Sequence, residues 1–342
     1  MRQYLFVPLL LIALTVLVGC DRGTITEPVR LSGSTMGTSY SVIVYAPASE
    51  RLRIEIGVQR QLARVVDTMS TYEPRSDISL FNQAPVDTWV SVSADVATVV
   101  AAALDVAEKS RGAFEPTILP LVNIWGFGPL DRPEEVPTEV ELAQAMDLLG
   151  WEAVEVRMDP PALRKTAPRE LDLSAIAKGY GADVVAEYLR SLGYNSFLVE
   201  LGGDMRISGA KPDGSPWRVG IETPEEGIAR SAYRVLEFFD DAALVTSGDY
   251  RNYFEVDGVR YSHTIDPRTG YPVRHNMVSV SVMAENAMLA DAWATALVSV
   301  GPEQARVLAD TYGLSIYLIE RVAGEFVEYM TGEFTRLMSA GE

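Results

Sequence analysis

The chain has 342 residues, of which 29 are lysine or arginine and 47 are aspartate or glutamate, so its formal net charge is −18. Hydrophobic residues make up 48%, which is enough for a packed core and argues against disorder, while the acidic balance argues against a nucleic-acid partner. Cys20 is the only cysteine, and His263 and His275 are the only histidines. The chain therefore forms no internal disulfide or tetrahedral Cys/His zinc site, and a bound metal would be a hard cation held by oxygens.

The N-terminus has the pattern of a secretory signal. Arg2 precedes an apolar run from Tyr4 to Val18, which is short for a membrane-spanning helix of about 20 residues and typical of a signal peptide. The run ends in Leu17-Val18-Gly19-Cys20, which resembles a bacterial lipobox, in which the cysteine becomes the lipidated first residue after cleavage. The alternative is a cleaved signal with an incidental cysteine.

We therefore expect a lipoprotein signal peptide over residues 1–19, lipidation at Cys20 and a lipidated tether over residues 20–30. Asp21 follows the cysteine directly, which resembles the signal that retains some lipoproteins in the bacterial inner membrane. The expected location is that membrane, lipid-anchored on the periplasmic side.

The rest of the chain, residues 31–342, contains no repeat, low-complexity tract or Pro/Gly/Ser-rich linker and is expected to form one domain. Apolar spacing and capping residues predict helices over 51–69, 94–110, 139–150, 175–192 and 287–300. Alternating or apolar runs predict strands over 38–45, 196–201, 217–222, 234–239, 243–247 and 277–283, and hairpins within 252–265 and over 314–319 with 325–330. Because strands mostly follow strands in the second half, the expected fold is α+β, with a largely antiparallel sheet and helices packed on its faces.

The segment from Leu171 to Gly179 predicts a strand ending in Asp172 and a helix that begins after Ser174. The first turn of a helix presents free N–H groups suited to an anion. Lys178 falls in that turn. The positive end of the helix dipole disfavours a cation there unless an anion is bound beside it. The alternative is a solvated surface lysine.

His263 comes shortly before Asp266-Pro267-Arg268-Thr269-Gly270, a tight turn by composition. A histidine there can act as a general base or hold a phosphate, although an ordinary surface histidine fits the pattern too. Gly203-Asp204 and the segment Ser34 to Thr38 are small-residue turns through which backbone can approach a ligand.

Asp291 and Thr295 lie four residues apart in a predicted helix that is otherwise apolar, so they project from the same face. Two hard oxygens at this spacing suit Mg²⁺ or Ca²⁺. No lysine or arginine lies within a helical turn of Asp291 along the chain, so we expect a metal ion to be the partner of its carboxylate. The alternative is that Asp291 is a helix N-cap and Thr295 is incidental.

Common nucleotide and hydrolase motifs are absent from the sequence. It contains no Gly-Lys-Ser/Thr P-loop and no Gly-x-Ser-x-Gly elbow. Gly179-Tyr180-Gly181 lacks the third glycine of a dinucleotide fingerprint and falls inside a predicted helix.

Taken together, these segments resemble the FAD:protein FMN transferases of the ApbE family. The matching segments run in order along nearly the whole mature chain: Ser34 to Thr38, Ser70 to Tyr72 with Ser76 and Asn82, Gly112 to Thr117 with Trp125 to Gly128, Asp172 to Gly179, Gly202 to Asp204, Thr246 to Tyr250, His263 to Gly270, and Ala290 to Leu297. Each segment alone is weak, and their order makes the match specific. Glu115 departs from the pattern, since we expect aspartate there.

The resemblance implies a set of site residues. FAD would lie in a cleft lined by Met36, Tyr72, Ala113, Phe114, Glu115, Asp172 and Lys178, with His263, Thr264 and Ile265 near its phosphates. Mg²⁺ would be held by Asp291, the Thr295 hydroxyl and the Ala175 backbone carbonyl. His263 and Asp291 would be the catalytic residues.

The implied reaction cleaves the FAD pyrophosphate, attaches FMN through a phosphoester to a threonine or serine of another protein, and releases AMP. Residues 31–342 would form the transferase domain, and the expected acceptors are proteins such as membrane redox-pump subunits. Two other functions stay open: a lipoprotein that binds or hydrolyses FAD without transfer, and a scaffold or solute-binding module without catalysis.

Overall fold

The computed structural model describes residues 27–130, 132, 135–222, 232–248, 253–256 and 258–339. The strands are β1 (Val29–Thr35), β2 (Thr38–Val44), β3 (Val90–Ser91), β4 (Val154–Met158), β5 (Pro161–Lys165), β6 (Phe197–Leu201), β7 (Asp204–Ser208), β8 (Trp217–Glu222), β9 (Ala232–Phe238), β10 (Ala242–Gly248), β11 (Tyr253–Val256), β12 (Val259–Ser262), β13 (Met277–Ala284), β14 (Ser315–Val322) and β15 (Glu325–Met330). The helices are α1 (Arg51–Met69), α2 (Asp77–Gln83), α3 (Ala94–Ser110), α4 (Leu119–Ile124), α5 (Glu139–Met146), α6 (Ala177–Ser191), α7 (Ala287–Val300), α8 (Pro302–Tyr312) and α9 (Glu333–Ser339). None of the helices in these ranges is long and apolar enough to cross a membrane.

An eight-stranded sheet in the order β1-β2-β6-β7-β10-β13-β14-β15 forms the centre of the molecule. Every neighbouring pair in it is antiparallel, which confirms the predicted α+β class. Its strands send alternate residues to two cores: Ala243 and Val245 of β10 face one, and Leu244 faces the other. Helices α1, α3, α6 and α7 cover the first face, and the β8–β9 ribbon with α9 covers the second.

A third apolar cluster joins α4 and α5 to the segment that follows β12. Trp125 packs against the ring of Tyr261 with centroids 5.5 Å apart. Its indole Nε1 donates to the Gly270 carbonyl at 2.8 Å. This cluster fixes the residues around His263 relative to α4.

The helices predicted over 51–69 and 287–300 have the observed bounds of α1 and α7, and Ser93 caps α3 through a bond from the Val96 N–H. The capping box of Thr138 and Glu141 is present, but α5 ends at Met146 rather than Gly150. The chain tightens there into i to i+3 hydrogen bonds, and the apolar residues that follow lie in turns.

Two local predictions are wrong. Leu171 and Asp172 form no strand, because the Asp172 N–H donates to the Pro116 carbonyl in a loop. The next helix begins at Ala177 with Ile176 as its N-cap, so Ser174 does not cap it. β1 begins at Val29, so the last two residues of the predicted tether belong to the sheet.

The hairpin predicted around Asp257-Gly258 is formed by β11 and β12, which pair Val256 with Val259. Asp257 itself lies outside the described residues, as do Cys20 and the Asp249-Tyr250 part of a matching segment.

Candidate functional site

A cavity of about 410 Å³ opens where the starts of α6 and β7, the inner face of α7, and the end of β10 converge. It is lined by Thr38, Ala113, Phe114, Glu115, Ile118, Val122, Asp172, Ser174, Ala175, Lys178, Gly202, Asp204, Thr246, Ser247, Gly248, His263, Thr264, Ile265, Pro267, Asp291, Thr295 and Val298. Of the predicted site residues within the described ranges, only Met36 and Tyr72 are missing from this lining. The cavity thus brings together residues as far apart in sequence as Thr38 and Val298, as expected of a ligand site.

A charged cluster of Lys178, Asp204 and Asp291 lies in one wall of the cavity. The Lys178 Nζ is 3.3 Å from Asp291 Oδ1 and 3.6 Å from Asp204 Oδ2. The two carboxylates are almost fully buried, whereas the lysine side chain is 29% exposed. Two acids and one ammonium leave this cluster with an excess of negative charge when all three are ionised.

The cluster perturbs the protonation of its members. Burial by itself lowers the pKa of Lys178, but the carboxylates of Asp204 and Asp291 outweigh it and raise that pKa overall. Burial raises the pKa of Asp204, and Asp291 beside it raises that pKa further, against the opposing effect of Lys178. The lysine is therefore held as a cation, and the acids repel each other.

The structure gives Asp291 protein partners that the sequence did not show. Its carboxylate accepts from the Lys178 ammonium and, at 3.1 Å, from the Gly179 N–H. Lys178 comes from another helix 113 residues away, so the lack of a basic neighbour along the chain does not by itself call for a metal ion. The N-cap alternative is wrong, because Asn286 caps α7.

Close approach of α6 and α7 creates the cluster. A Cβ at Gly179 would lie 2.1 Å from the Ala287 carbonyl oxygen, so only glycine permits this distance. One turn further along α6, Asp183 accepts from the N–H groups of Ala287 and Met288 at 3.0 and 2.8 Å. Arg206 pairs with Asp183 at 3.2 Å. The N-terminus of α7 is thus fastened to α6 by charge-assisted hydrogen bonds.

The oxygens around this cluster fit a hard divalent cation. Asp291, the Thr295 hydroxyl and the region of Ala175 all line the cavity, and carboxylate, hydroxyl and carbonyl oxygens are the ligands that Mg²⁺ accepts. Asp204 Oδ2 is buried and has no close hydrogen-bond donor among the described residues, the Lys178 ammonium lying 3.6 Å away, so it can accept a further contact. Within the described ranges no three His, Cys, Asp or Glu side chains are grouped to hold a metal, so hydroxyl or backbone oxygens must complete such a shell.

The wall formed by Ala113, Phe114 and Glu115 is tied to α7 and to a neighbouring loop. Ser299 donates from its hydroxyl to the Ala113 carbonyl at 2.9 Å. The Glu115 carboxylate accepts from the N–H and hydroxyl of Thr117 and from the Trp151 N–H, while burial raises its pKa. Glu115 therefore shapes the wall through bonds within the protein.

Asp172 occupies the floor between this wall and α6. Its Oδ1 accepts from the Ser174 N–H at 2.7 Å, and burial raises its pKa despite that bond. The bond closes the turn that leads into α6 and so places Lys178.

His263, Thr264 and Ile265 form the opposite wall. The His263 side chain is exposed, and its ring lies edge-on to Phe127 with centroids 6.5 Å apart. Ile265 is buried and bridges to Pro272. This arrangement leaves the imidazole facing the cavity opening, where it can meet a polar ligand.

Met36 and Tyr72 lie outside the lining of the cavity. Met36 is partly buried against the core beside α6, with a left-handed φ of 49°. Tyr72 is 64% exposed, and its hydroxyl donates to the Phe127 carbonyl at 3.2 Å. Because Phe127 touches His263, Tyr72 stands at the rim, and a ligand would have to extend out of the cavity to reach it.

Asp204 is the main site residue that was not predicted. Gly202 to Asp204 and Thr246 to Gly248 belong to matching segments, and Gly203-Asp204 was predicted as a turn that backbone uses to approach a ligand, but no side chain of either segment was assigned to the site. The signal that would have revealed Asp204 is its position after two glycines that end a strand, but only the three-dimensional contact shows that it faces Lys178.

A family model described as the ApbE family matches residues 36–318, most of the chain. The chain belongs to the ApbE family. A relative from Vibrio cholerae named FAD:protein FMN transferase is 41% identical over 332 residues, covering 96% of this chain and 98% of that protein. A relative of the same name from Haemophilus influenzae is 38% identical and covers 95% of both chains.

Solved structures of the ApbE family agree with this fold. The flavin transferase ApbE from Vibrio cholerae superposes with a TM-score of 0.83 at 39% identity, covering 91% of this chain and 99% of that one. The apo form of the flavinyl transferase ApbE from Pseudomonas stutzeri gives a TM-score of 0.82 at 38% identity, covering 92% and 98%.

Proposed function

We propose that this chain is an FAD:protein FMN transferase, which cleaves the FAD pyrophosphate, attaches FMN through a phosphoester to a threonine or serine of another protein, and releases AMP. The observation that carries the proposal is the buried Lys178–Asp204–Asp291 cluster opposite His263 in a cavity lined by the segments that the family predicts. The names of the curated relatives, which match over nearly their whole length, support the same activity.

Lys178 supplies positive charge for the anionic groups of this reaction. The pyrophosphate and the departing AMP are anionic, and the protein carries a net charge of −18. The ammonium sits at the start of α6, where the positive end of the helix dipole also favours an anion. Lys178 would bind and orient the phosphates. The bond from the Gly179 N–H to Asp291, and those that Asp183 accepts from Ala287 and Met288, would hold its surroundings rigid.

We propose that Mg²⁺ is held by Asp291, the Thr295 hydroxyl and the Ala175 carbonyl, with Asp204 Oδ2 as a further available oxygen. When bound, such an ion would stabilise the negative charge that builds up on the pyrophosphate oxygens. Asp291 would then act in catalysis by holding the ion.

His263 is placed to meet the phosphates from the opposite side. Its exposed ring can donate to a phosphate oxygen or take up a proton at the cavity opening. Ala113, Phe114, Glu115 and Asp172 would enclose FAD, with Met36 and Tyr72 contributing at its outer end.

The same protein is proposed to be a lipoprotein, anchored through Cys20 to the inner membrane and facing the periplasm, where proteins such as membrane redox-pump subunits would be its acceptors. The apolar run that ends at Cys20 supports the anchor. In the native host, Cys20→Ser is expected to release the protein from the membrane fraction, because the residue that carries the lipid is lost. An unmodified N-terminus in the parent protein would contradict the anchor.

The proposed activity is tested by incubating the protein with FAD, Mg²⁺ and a candidate redox-pump subunit and measuring the acceptor by mass spectrometry. We expect one added FMN, loss of the product on EDTA treatment and its return with Mg²⁺. Asp291→Ala should transfer no FMN while its melting temperature in metal-free buffer changes little.

The alternatives give different results in the same assay. Release of FMN and AMP without covalent flavin would indicate hydrolysis alone. If neither product forms with any acceptor, the scaffold or solute-binding function is favoured. Transfer by Asp291→Ala at the parent rate would refute the metal assignment.

A further inference from the structure

Strand β10 is longer than its neighbour β7 at the end that reaches the cavity. It pairs with β13 from Ala243 to Gly248 but with β7 only from Ala242 to Leu244. The last pair places Leu244 opposite Met205. β7 begins one residue earlier, at Asp204, so residues 245–248 of β10 extend beyond the end of β7. Residues 245–248 pair with β13 on one side, and over the described ranges no strand pairs with them on the side where β7 lies further along β10.

This unpaired edge faces the cavity. Thr246, Ser247 and Gly248 all line it, although consecutive side chains of a strand point to opposite faces of the sheet. Three consecutive residues can share one cavity only if the cavity borders the edge of the strand. The Thr246 hydroxyl is already paired with that of Ser281 at 2.7 Å, so it is the backbone at this edge that is offered to a ligand.

The edge also begins beside the charged cluster. Asp204, the first residue of β7, lies 3.6 Å from the Lys178 ammonium. A strand added to residues 245–248 would therefore continue the line of β7 in the sheet, and its first residues would lie next to Lys178, Asp204 and Asp291.

We propose that the edge of β10 from Val245 to Gly248 binds an extended segment of the flavin-acceptor protein and presents its threonine or serine to the cavity. The inference rests on the proposed transferase function and names the surface that function requires. Main-chain hydrogen bonds to a free sheet edge give affinity that does not depend on the sequence of the bound segment. Alternate side chains of the added strand enter the site. The partner is thus a segment able to lie extended, with its hydroxyl residue directed at Lys178.

The bonding changes fit this placement. The acceptor oxygen forms a bond to the FMN phosphorus as the bond from that phosphorus to the AMP oxygen breaks. The hydroxyl proton passes to solvent, and the AMP oxygen keeps the electron pair. The acceptor must therefore reach the phosphates directly, and an edge that adjoins Asp204 allows it to do so.

Amide hydrogen exchange tests the proposal. The probe is the acceptor that the parent enzyme flavinylates, with its modified threonine or serine replaced by alanine so that no product forms. In the presence of FAD, adding this acceptor should slow exchange in peptides covering 245–248 by about 10-fold, whereas FAD alone should not. Equal protection by FAD alone would assign the edge to the flavin and overturn the proposal, as would no protection at all.

A second measurement uses the acceptor backbone and leaves the enzyme unaltered. Peptides spanning the modified residue, N-methylated at one position each, lose one main-chain donor apiece. Because a paired strand directs alternate N–H groups to its neighbour, we expect KM to rise about 10-fold at alternate positions and to stay near the parent value at those between.

A uniform effect along the peptide would contradict strand pairing. If the parent enzyme flavinylates no acceptor, the transferase function itself fails. That result differs from transfer that occurs without protection of residues 245–248, which would reject the docking edge alone.

Discussion

Gly179→Ala is the single substitution that tests most directly how the site is built. The added Cβ would lie 2.1 Å from the Ala287 carbonyl oxygen and 2.8 Å from the Met288 nitrogen. Both are backbone atoms of α7 and cannot rotate away. The 2.1 Å contact must open to about 3.4 Å, so α6 and α7 must separate locally by roughly 1.3 Å.

The expected loss of stability is small and the loss of activity is large. Overpacking costs about 1–3 kcal/mol, and replacing glycine by alanine inside a helix returns about 1 kcal/mol. The net destabilisation is therefore about 0–2 kcal/mol, a shift of only a few degrees in Tm. In contrast, a displacement of about 1 Å in a catalytic group costs about 100-fold in rate, and here it stretches the bonds from Lys178 and Gly179 to Asp291.

The assay is the rate of covalent flavin formation on an acceptor, with Tm measured on the same preparations. Gly57→Ala is the matched control: its Cβ would also collide, but with the Tyr188 phenol on the far side of α6. We expect the control to lose stability and keep its transfer rate. A rate for Gly179→Ala within about threefold of the parent, or an equal loss in the control, would refute the geometric reasoning.

Tyr72→Ala should weaken FAD binding by about 0.5–1.5 kcal/mol if the ring stacks on the flavin, while Tyr72→Phe should bind nearly as the parent does; a fluorescence titration with equal affinities for all three would exclude the contact. Asp183→Ala should slow transfer more than Asn286→Ala when the two variants lose the same amount of Tm. The reason is that Asp183 bonds α7 to α6, whereas Asn286 caps α7 from the residue just before it. Equal slowing of transfer would mean that Asp183 only stabilises the fold. Hydrogen bonds from the Thr138 backbone N–H, and then from Arg132, lower the pKa of Glu141 from 4.5 to about 2. The contribution of Glu141 to stability is therefore present above pH 4.5 and is lost as the pH falls toward 2. The Tm difference between the parent and Glu141→Gln should narrow over that interval, and a difference independent of pH would contradict this assignment.

Elements with strong local signals were predictable from the sequence. α1 and α7 carry apolar residues at helical spacing, and both were predicted with their observed ends. α3 has a serine cap whose bond is purely local. Such features depend on residues within a few positions of each other, which a sequence displays directly.

Some elements whose formation depends on distant partners were not predicted. β1 has only Val29 and Leu31 as buried apolar residues, and it becomes a strand because β2 pairs with it along its length. β4 and β5 were missed although they pair over their whole length. Their patterns alone do not distinguish a hairpin from a loop.

The candidate site shows the same division. Lys178, Asp291 and His263 were found because each sits in a recognisable local motif, and the structure places all three around one cavity. The pairing of Lys178 with Asp291 and Asp204 was not visible, since it depends on contacts between three separate elements. Asp204 follows two glycines that end a strand, but that position does not show which residues its carboxylate contacts.

The three charged residues of the cluster come from α6, β7 and α7, and Lys178 is 113 residues from Asp291. Contacts across so long a stretch of chain form late, because a large loop must first be closed. A nascent or truncated chain that ends before α7 therefore carries the lysine without Asp291 and cannot assemble the cluster. Opening of α7 alone would dismantle the cluster while leaving β1 and β2 paired. Catalytic competence therefore requires that the chain has been made as far as α7 and that α7 has packed against α6.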